Sequence, residues 1–121
     1  MEKLKFTQEI KDKWLKALRS GEFRQGFGRL VIQPTDYLCV SGKTEHCCIG
    51  VLGEITEELD NSYYETDKNP YNFLEVAIGS SKMKNLILIN DKANPKYTGT
   101  EDYPCDYSNV IPIIENLEVQ E

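Results

Sequence analysis

The chain has 121 residues, 40% of them apolar and 28% charged, with a net charge of −6. That is one domain's length, enough to bury a core without staples. It holds no apolar run approaching the ~20 residues of a membrane span, and its acidic balance argues against generic nucleic-acid binding.

The charge is uneven. Residues 1–30 carry eight Lys and Arg against four Asp and Glu, and residues 31–121 carry six against sixteen. This leaves room for one local anion site in an acidic body, although two solvated faces of opposite sign give the same count. The N-terminus, "MEKLKFTQEIKDKW", has no apolar block of the signal-peptide kind. A cytoplasmic location, with no membrane association, is the expectation.

Thr7 is an N-cap for a helix from Gln8 to about Arg19. Ile10, Trp14, Ala17 and Leu18 form its apolar stripe, with Lys11, Lys13 and Lys16 mostly off it. Ser20-Gly21 ends it, with Gly21 in a left-handed C-cap. Leu30, Val31 and Ile32 read as a strand and "DYLCVSG" as a second, paired in a hairpin through Pro34-Thr35-Asp36.

In "HCCIGVLGEITEELD", Cys47, Val51, Ile55 and Leu59 recur every four residues, which is helical spacing. Gly50 and Gly53 weaken that helix, so their presence predicts close packing against another element. Residues 60–72 read as a long polar loop. "FLEVAI" reads as a strand, and "NLILIND" as either strand or helix. "KANPKYTGTEDYPCD" is a second polar loop. Asp106 or Ser108 is expected to cap a short final helix over "VIPIIENL", with Pro112 in its first turn. The fold class is therefore α+β in a single domain spanning residues 1–121. A small, mostly antiparallel sheet packs with an N-terminal helix, a central helix and a short C-terminal helix.

Three stretches stand together in this order. They are W-x-x-A-L-R-S-G followed by an aromatic and Q-G-x-G-x-L (Trp14 to Leu30), C-C-[LI]-G-V-L (Cys47 to Leu52), and L-x-[LI]-N-D (Leu86, Leu88 to Asp91) ahead of the terminal helix. The combination resembles a family of small proteins common in phages and prophages. Many of those relatives carry a cysteine where this chain has Gly53, and a more typical N-D-R/K-G turn where it has Asn90-Asp91-Lys92-Ala93. The resemblance brings no activity with it. It implies a phage origin, and small accessory phage genes often counter host defences.

The chemistry-bearing residues point away from catalysis. His46 adjoins Cys47, and adjacent side chains on a helix or strand point apart. Phosphate-loop, nucleophile-elbow, metalloprotease and dinucleotide signatures are missing from the sequence. Asn90-Asp91 is either a carboxylate site or, more commonly, a turn whose side chains cap backbone groups. Cys39, Cys47, Cys48 and Cys105 read as reduced structural thiols, with zinc or redox chemistry as alternatives. No catalytic residue, metal or cofactor is assigned.

All three arginines, Arg19, Arg24 and Arg29, fall within one eleven-residue window. Guanidinium suits two-pronged recognition of phosphate. Gly21, Gly26 and Gly28 let backbone approach a ligand, Phe23 and Phe27 offer flat faces for a base, and Gln25 offers a base edge or a loop clamp. Tyr97 and Tyr103 add aromatic loop surface. The competing reading is plain: Arg19 complements a helix dipole, the phenylalanines fill the core, and the glycines make a turn and a bulge.

From these residues the expected function is non-enzymatic: binding and sequestering a nucleotide immune signal, most concretely a cyclic one with two phosphates. Outcompeting a host receptor requires nanomolar affinity, about −12 kcal/mol. A site shared between subunits would suit so small a chain, so a homo-oligomer in the infected bacterial cytoplasm is expected. Two other classes remain open: an acidic inhibitor docking on a basic host protein through "EITEELD" and "TGTEDYPCD", and a zinc-stabilised or catalytic Cys/His protein.

Overall fold

The computed structural model describes residues 4–61, 66–94 and 106–120. Among them are five helices and a two-stranded sheet: α1 (Gln8–Arg19), β1 (Val31–Ile32), β2 (Glu45–His46), α2 (Cys48–Ile55), α3 (Pro70–Ile78), α4 (Ser80–Lys92) and α5 (Ile111–Glu115). This is the expected α+β class, with much more helix than sheet.

Helix α1 matches its prediction end to end. Thr7 Oγ1 accepts the Ile10 N–H at 3.3 Å, and Gly21 follows the C-cap with φ of 80°. Its buried face is Lys11, Trp14, Leu15 and Leu18, with Ile10 and Ala17 partly buried on its flanks. Lys11 was expected largely off that stripe. It turns inward because its ammonium donates to the Glu115 and Leu117 carbonyls, each at 2.8 Å, at the C-terminal end of α5. The amine there meets carbonyls that the helix itself leaves unpaired.

The hairpin is displaced from its expected place. β1 pairs antiparallel with β2, Val31 opposite His46 and Ile32 opposite Glu45, and residues 36–42 are turns and bends. Two carboxylates bend that segment. Asp36 Oδ1 accepts the Leu38 N–H at 2.9 Å, and the buried Glu45 accepts Val40 N–H at 3.1 Å and Ser41 N–H at 2.7 Å. Backbone groups taken by carboxylates are lost to a ladder. On the other edge of β2, Gln25 forms a parallel bridge with His46, through Gly26 N–H to His46 O and His46 N–H to Arg24 O, both 2.8 Å.

Helix α2 is the centre, with Cys48 through Gly53 all buried. It packs against α1, α3, α4 and β2, while α5 packs on α1. The predicted close approach is there: a Cβ on Gly50 would lie 2.0 Å from the Leu30 carbonyl oxygen, and one on Gly53 2.1 Å from Asn61 Oδ1. Trp14 reaches across to donate its indole N–H to Cys48 O at 2.8 Å. Phe6 meets Trp14 and Phe73 edge-on, with ring centroids 6.0 and 6.4 Å apart.

"FLEVAI" is the second half of α3 rather than a strand. Asn69 caps that helix, accepting the Tyr71 N–H at 2.9 Å, and Pro70 occupies its first turn. "NLILIND" resolves as helix, in α4. The final helix forms where expected, but with no side-chain cap. Asp106 instead accepts the Ser108 N–H at 3.1 Å in the preceding turn. Gln120 then closes the chain against Phe6, its N–H donating to Phe6 O at 2.7 Å. No helix of the described residues is long and apolar enough to cross a membrane.

Candidate functional site

The residues following Arg24 build an interior polar node. Gln25 is 1% exposed. Its Nε2 donates to Asn90 Oδ1 and Asn109 Oδ1, both at 3.0 Å, and its Oε1 accepts the Tyr107 N–H at 3.1 Å. Asn90, also 1% exposed, accepts the Cys48 N–H at 3.2 Å and donates to Gly26 O at 3.0 Å. Asp91 Oδ1 accepts from Asn90 Nδ2 and from the Gly28 N–H, both at 3.1 Å. Tyr107 completes the node, its hydroxyl donating to His46 O at 2.8 Å.

Each polar group of Gln25 and Asn90 thus has a partner, which is what a buried network needs to be stabilising. Asn90-Asp91 does cap backbone groups, but from the last turn of α4 and across the fold rather than from a local turn. Gly26 is where it is for steric reasons: a Cβ there would lie 2.8 Å from Glu45 Cβ.

The node fixes the backbone on which Arg24 stands. Around that arginine a cleft of about 380 Å³ opens, lined by Leu18, Arg19, Gly21, Phe23, Arg24, Asp106, Ser108 and Ile111. Three segments meet here: the last turn of α1, the loop after it, and the turn leading into α5. The Arg24 guanidinium is exposed, with no ion pair to any described residue. Arg19 Nη2 lies 2.8 Å from Glu115 Oε1, both side chains about half exposed. Phe23 is partly buried, its ring edge-to-face with His46 at 5.1 Å.

The eleven-residue window is therefore divided. Arg19, Phe23 and Arg24 share the cleft. Gln25, Gly26 and Phe27 are buried, and Gly28 donates its N–H to Asp91. Arg29 points elsewhere, ion-paired with Asp36 and lying 5.9 Å from the Tyr37 ring centroid. Tyr97 and Tyr103 lie outside the described residues. Asp106, Ser108 and Ile111 line the cleft without having been expected to, because residues more than eighty positions from Arg24 leave no local signal of their meeting it.

The thiols beside His46 are poor nucleophiles. Cys47 is buried and accepts the Gly50 N–H at 3.3 Å as the N-cap of α2. Burial raises its pKa to about 11, and burial likewise drives Cys48 well up. His46 Nε2 lies 3.4 Å from Glu54 Oε1. Among the described residues no three His, Cys, Asp or Glu side chains gather to hold a metal ion. A second hollow, of about 340 Å³, is acidic: Glu54, Glu57, Glu58 and Asp60 line it, with Lys68 the single cation among its described lining residues.

Residues 6–78 match the family model described as a domain of unknown function, DUF8296. The chain belongs to that family, and the matched region holds α1, the cleft arginines, the sheet, α2 and α3. Neither the curated proteins nor the solved structures compared with it give a match.

Proposed function

We propose that the chain is a non-enzymatic binding protein that takes a phosphate-bearing small molecule, a nucleotide, in the cleft at Arg19, Phe23 and Arg24. The observation that carries this is Arg24: an exposed guanidinium on a cleft wall, with no ion pair to any described residue, held on a backbone that β2 and the Gln25 node fix in place. Its two-pronged donor face fits phosphate. Phe23 beside it offers an apolar face to a base. The raised pKa of Cys47 and Cys48 speaks against thiol catalysis at the neighbouring position.

In the fuller form of this reading the ligand is a cyclic nucleotide signal, the chain is a phage accessory protein that sequesters it, and the working unit is a homo-oligomer. The resemblance of the three sequence stretches to phage proteins supports that form. Titration calorimetry with cyclic dinucleotides and nucleoside monophosphates tests it. Arg24→Ala is expected to weaken binding by roughly 10- to 100-fold, the value of a hydrogen-bonded charge contact, with Lys84→Ala on α4 unchanged. No heat and no thermal shift at saturating nucleotide refutes it. Light scattering with and without ligand checks the oligomer.

A second reading rests on the acidic hollow at Glu54, Glu57, Glu58 and Asp60: the protein docks on a basic host protein. That reading predicts steeply salt-sensitive capture, insensitive to charge reversal at Arg24 and Arg29.

A further inference from the structure

The two guanidinium groups of the cleft are in different states. Arg24 has no ion pair among the described residues, whereas Arg19 is held by Glu115 at 2.8 Å. We infer that the Glu115 carboxylate is an internal occupant of the cleft's second anion position. A ligand with two anionic groups docks one on Arg24 and displaces Glu115 from Arg19 with the other. The inference rests on the cleft reading above and specifies its ligand: two negative groups, not one.

Three features make Glu115 exchangeable. The pair is half exposed on both sides, at 51% and 49%, so water screens it and receives the released carboxylate readily. The Glu115 backbone is anchored independently, its carbonyl accepting from Lys11 Nζ at 2.8 Å, and the preceding Ile114 is fully buried. The carboxylate is therefore free to swing on its own torsions while α5 stays in place. Finally, a phosphate group carries more acceptor oxygens than a carboxylate and presents them to the same planar donor face.

An occupied position lowers apparent affinity by the fraction of time it is occupied. A ligand with one phosphate group goes to Arg24, which has no ion pair among the described residues, and feels little of this. A ligand with two anionic groups must compete, and so feels all of it. Asp106, on the same cleft wall, adds a carboxylate that repels both ligands, the more highly charged one more strongly; it is the same in wild type and Glu115→Gln and so cancels from the comparison between them.

The test uses inorganic phosphate and pyrophosphate as probes against the full chain, by calorimetry and by NMR of the arginine Nε–H signals. Glu115→Gln is expected to tighten pyrophosphate about three- to fivefold, the upper worth of an exposed ion pair, and phosphate less than twofold. Arg19→Ala is expected to weaken pyrophosphate and to abolish the Glu115→Gln gain in the double variant. Glu118→Gln makes the same charge change outside the cleft and is expected to leave both affinities alone. In the wild type, pyrophosphate should shift the Arg19 and Arg24 signals, and phosphate only Arg24. Binding with no selective gain for Glu115→Gln, or an equal gain for Glu118→Gln, overturns the inference while leaving the cleft reading standing. Failure of both probes to bind any variant overturns the cleft reading itself.

Discussion

Replacing Asn90 by Leu is the sharpest test of how the node holds the fold. The two side chains share the same number and branching of heavy atoms, but the buried amide disappears. Two backbone groups lose a buried partner: the Cys48 N–H, bound at 3.2 Å, and the Gly26 carbonyl, bound at 3.0 Å. Cys48 opens α2, where an N–H has no partner within the helix. Gln25 Nε2 keeps Asn109, and Asp91 keeps the Gly28 N–H, so the damage centres on those two groups. Each orphaned buried group costs about 1–3 kcal/mol, and the added apolar burial returns about 1 kcal/mol. The net expectation is a loss of roughly 3 kcal/mol, about 10 °C in Tm for a chain of this size. Urea and thermal unfolding followed by circular dichroism measure it.

Asn90→Asp supplies a control with a different signature. A carboxylate there still accepts from Cys48 but has no donor for Gly26 O, and burial beside Asp91 disfavours its charged form. Its folded-state pKa therefore lies above the unfolded one. Stability of that variant relative to wild type should recover as pH falls from 7 toward 5, because protonation restores a donor. A loss under about 1 kcal/mol for Asn90→Leu, or no acid recovery for Asn90→Asp, would refute the account of the node.

Gly50→Ala should destabilise by about 2–4 kcal/mol despite a helix-propensity gain of about 1 kcal/mol, because its Cβ would lie 2.0 Å from a backbone oxygen; an unchanged Tm would contradict the close packing of α2 on Leu30. Lys11→Met should cost about 2 kcal/mol by leaving the Glu115 and Leu117 carbonyls without their ammonium, and hydrogen exchange should locate the loosening at α5 rather than α1. Cys47 holds its proton to about pH 11 when folded, against about 8.5 for an open thiol. The Cys47 contribution should therefore be intact below pH 8.5 and fall by roughly 3 kcal/mol as pH rises to 11; Cys47→Ala should remove that decline and leave only the further loss due to buried Cys48. In native protein at pH 8, iodoacetamide should modify the partly exposed Cys39 well before Cys47 or Cys48, and equal rates would argue against their burial.

What the sequence disclosed was whatever is encoded locally. Thr7, the Ile10–Leu18 stripe and Ser20-Gly21 delimit α1 within a dozen residues, and Gly50 and Gly53 announce a close approach without saying to what. The missed helix α3 had its own local signal in Asn69-Pro70, a capping residue before a proline in the first turn. A six-residue run with five apolar residues overshadowed it, because Phe73, Leu74, Ala77 and Ile78 satisfy helical spacing while the run is short enough for a strand. The hairpin was misplaced for another reason. The groups that bend residues 36–42 are side-chain carboxylates of Asp36 and Glu45, and periodicity does not register them.

The same contrast explains why the arginine window split. Proximity in sequence does bring Arg19 and Arg24 to one cleft, with the bend at Gly21, φ 80°, between them. It fails for Arg29 because Gln25, Gly26 and Phe27 intervene as an interior wall. Gln25 and Gly26 are tied to Asn90, Tyr107 and Asn109, partners that lie more than sixty residues downstream. Once those residues are drawn inward, the chain emerges at Gly28 with Arg29 beside Asp36 rather than beside Arg24. The Q-G stretch is thus the support of the candidate site and not its lining. It follows that substituting Gln25 should weaken ligand binding and stability together, whereas substituting Arg24 should weaken binding alone. Parallel calorimetry and thermal unfolding of Gln25→Leu and Arg24→Ala separate the two roles, and a Gln25→Leu protein with wild-type Tm and lost binding would return Gln25 to the ligand's surface.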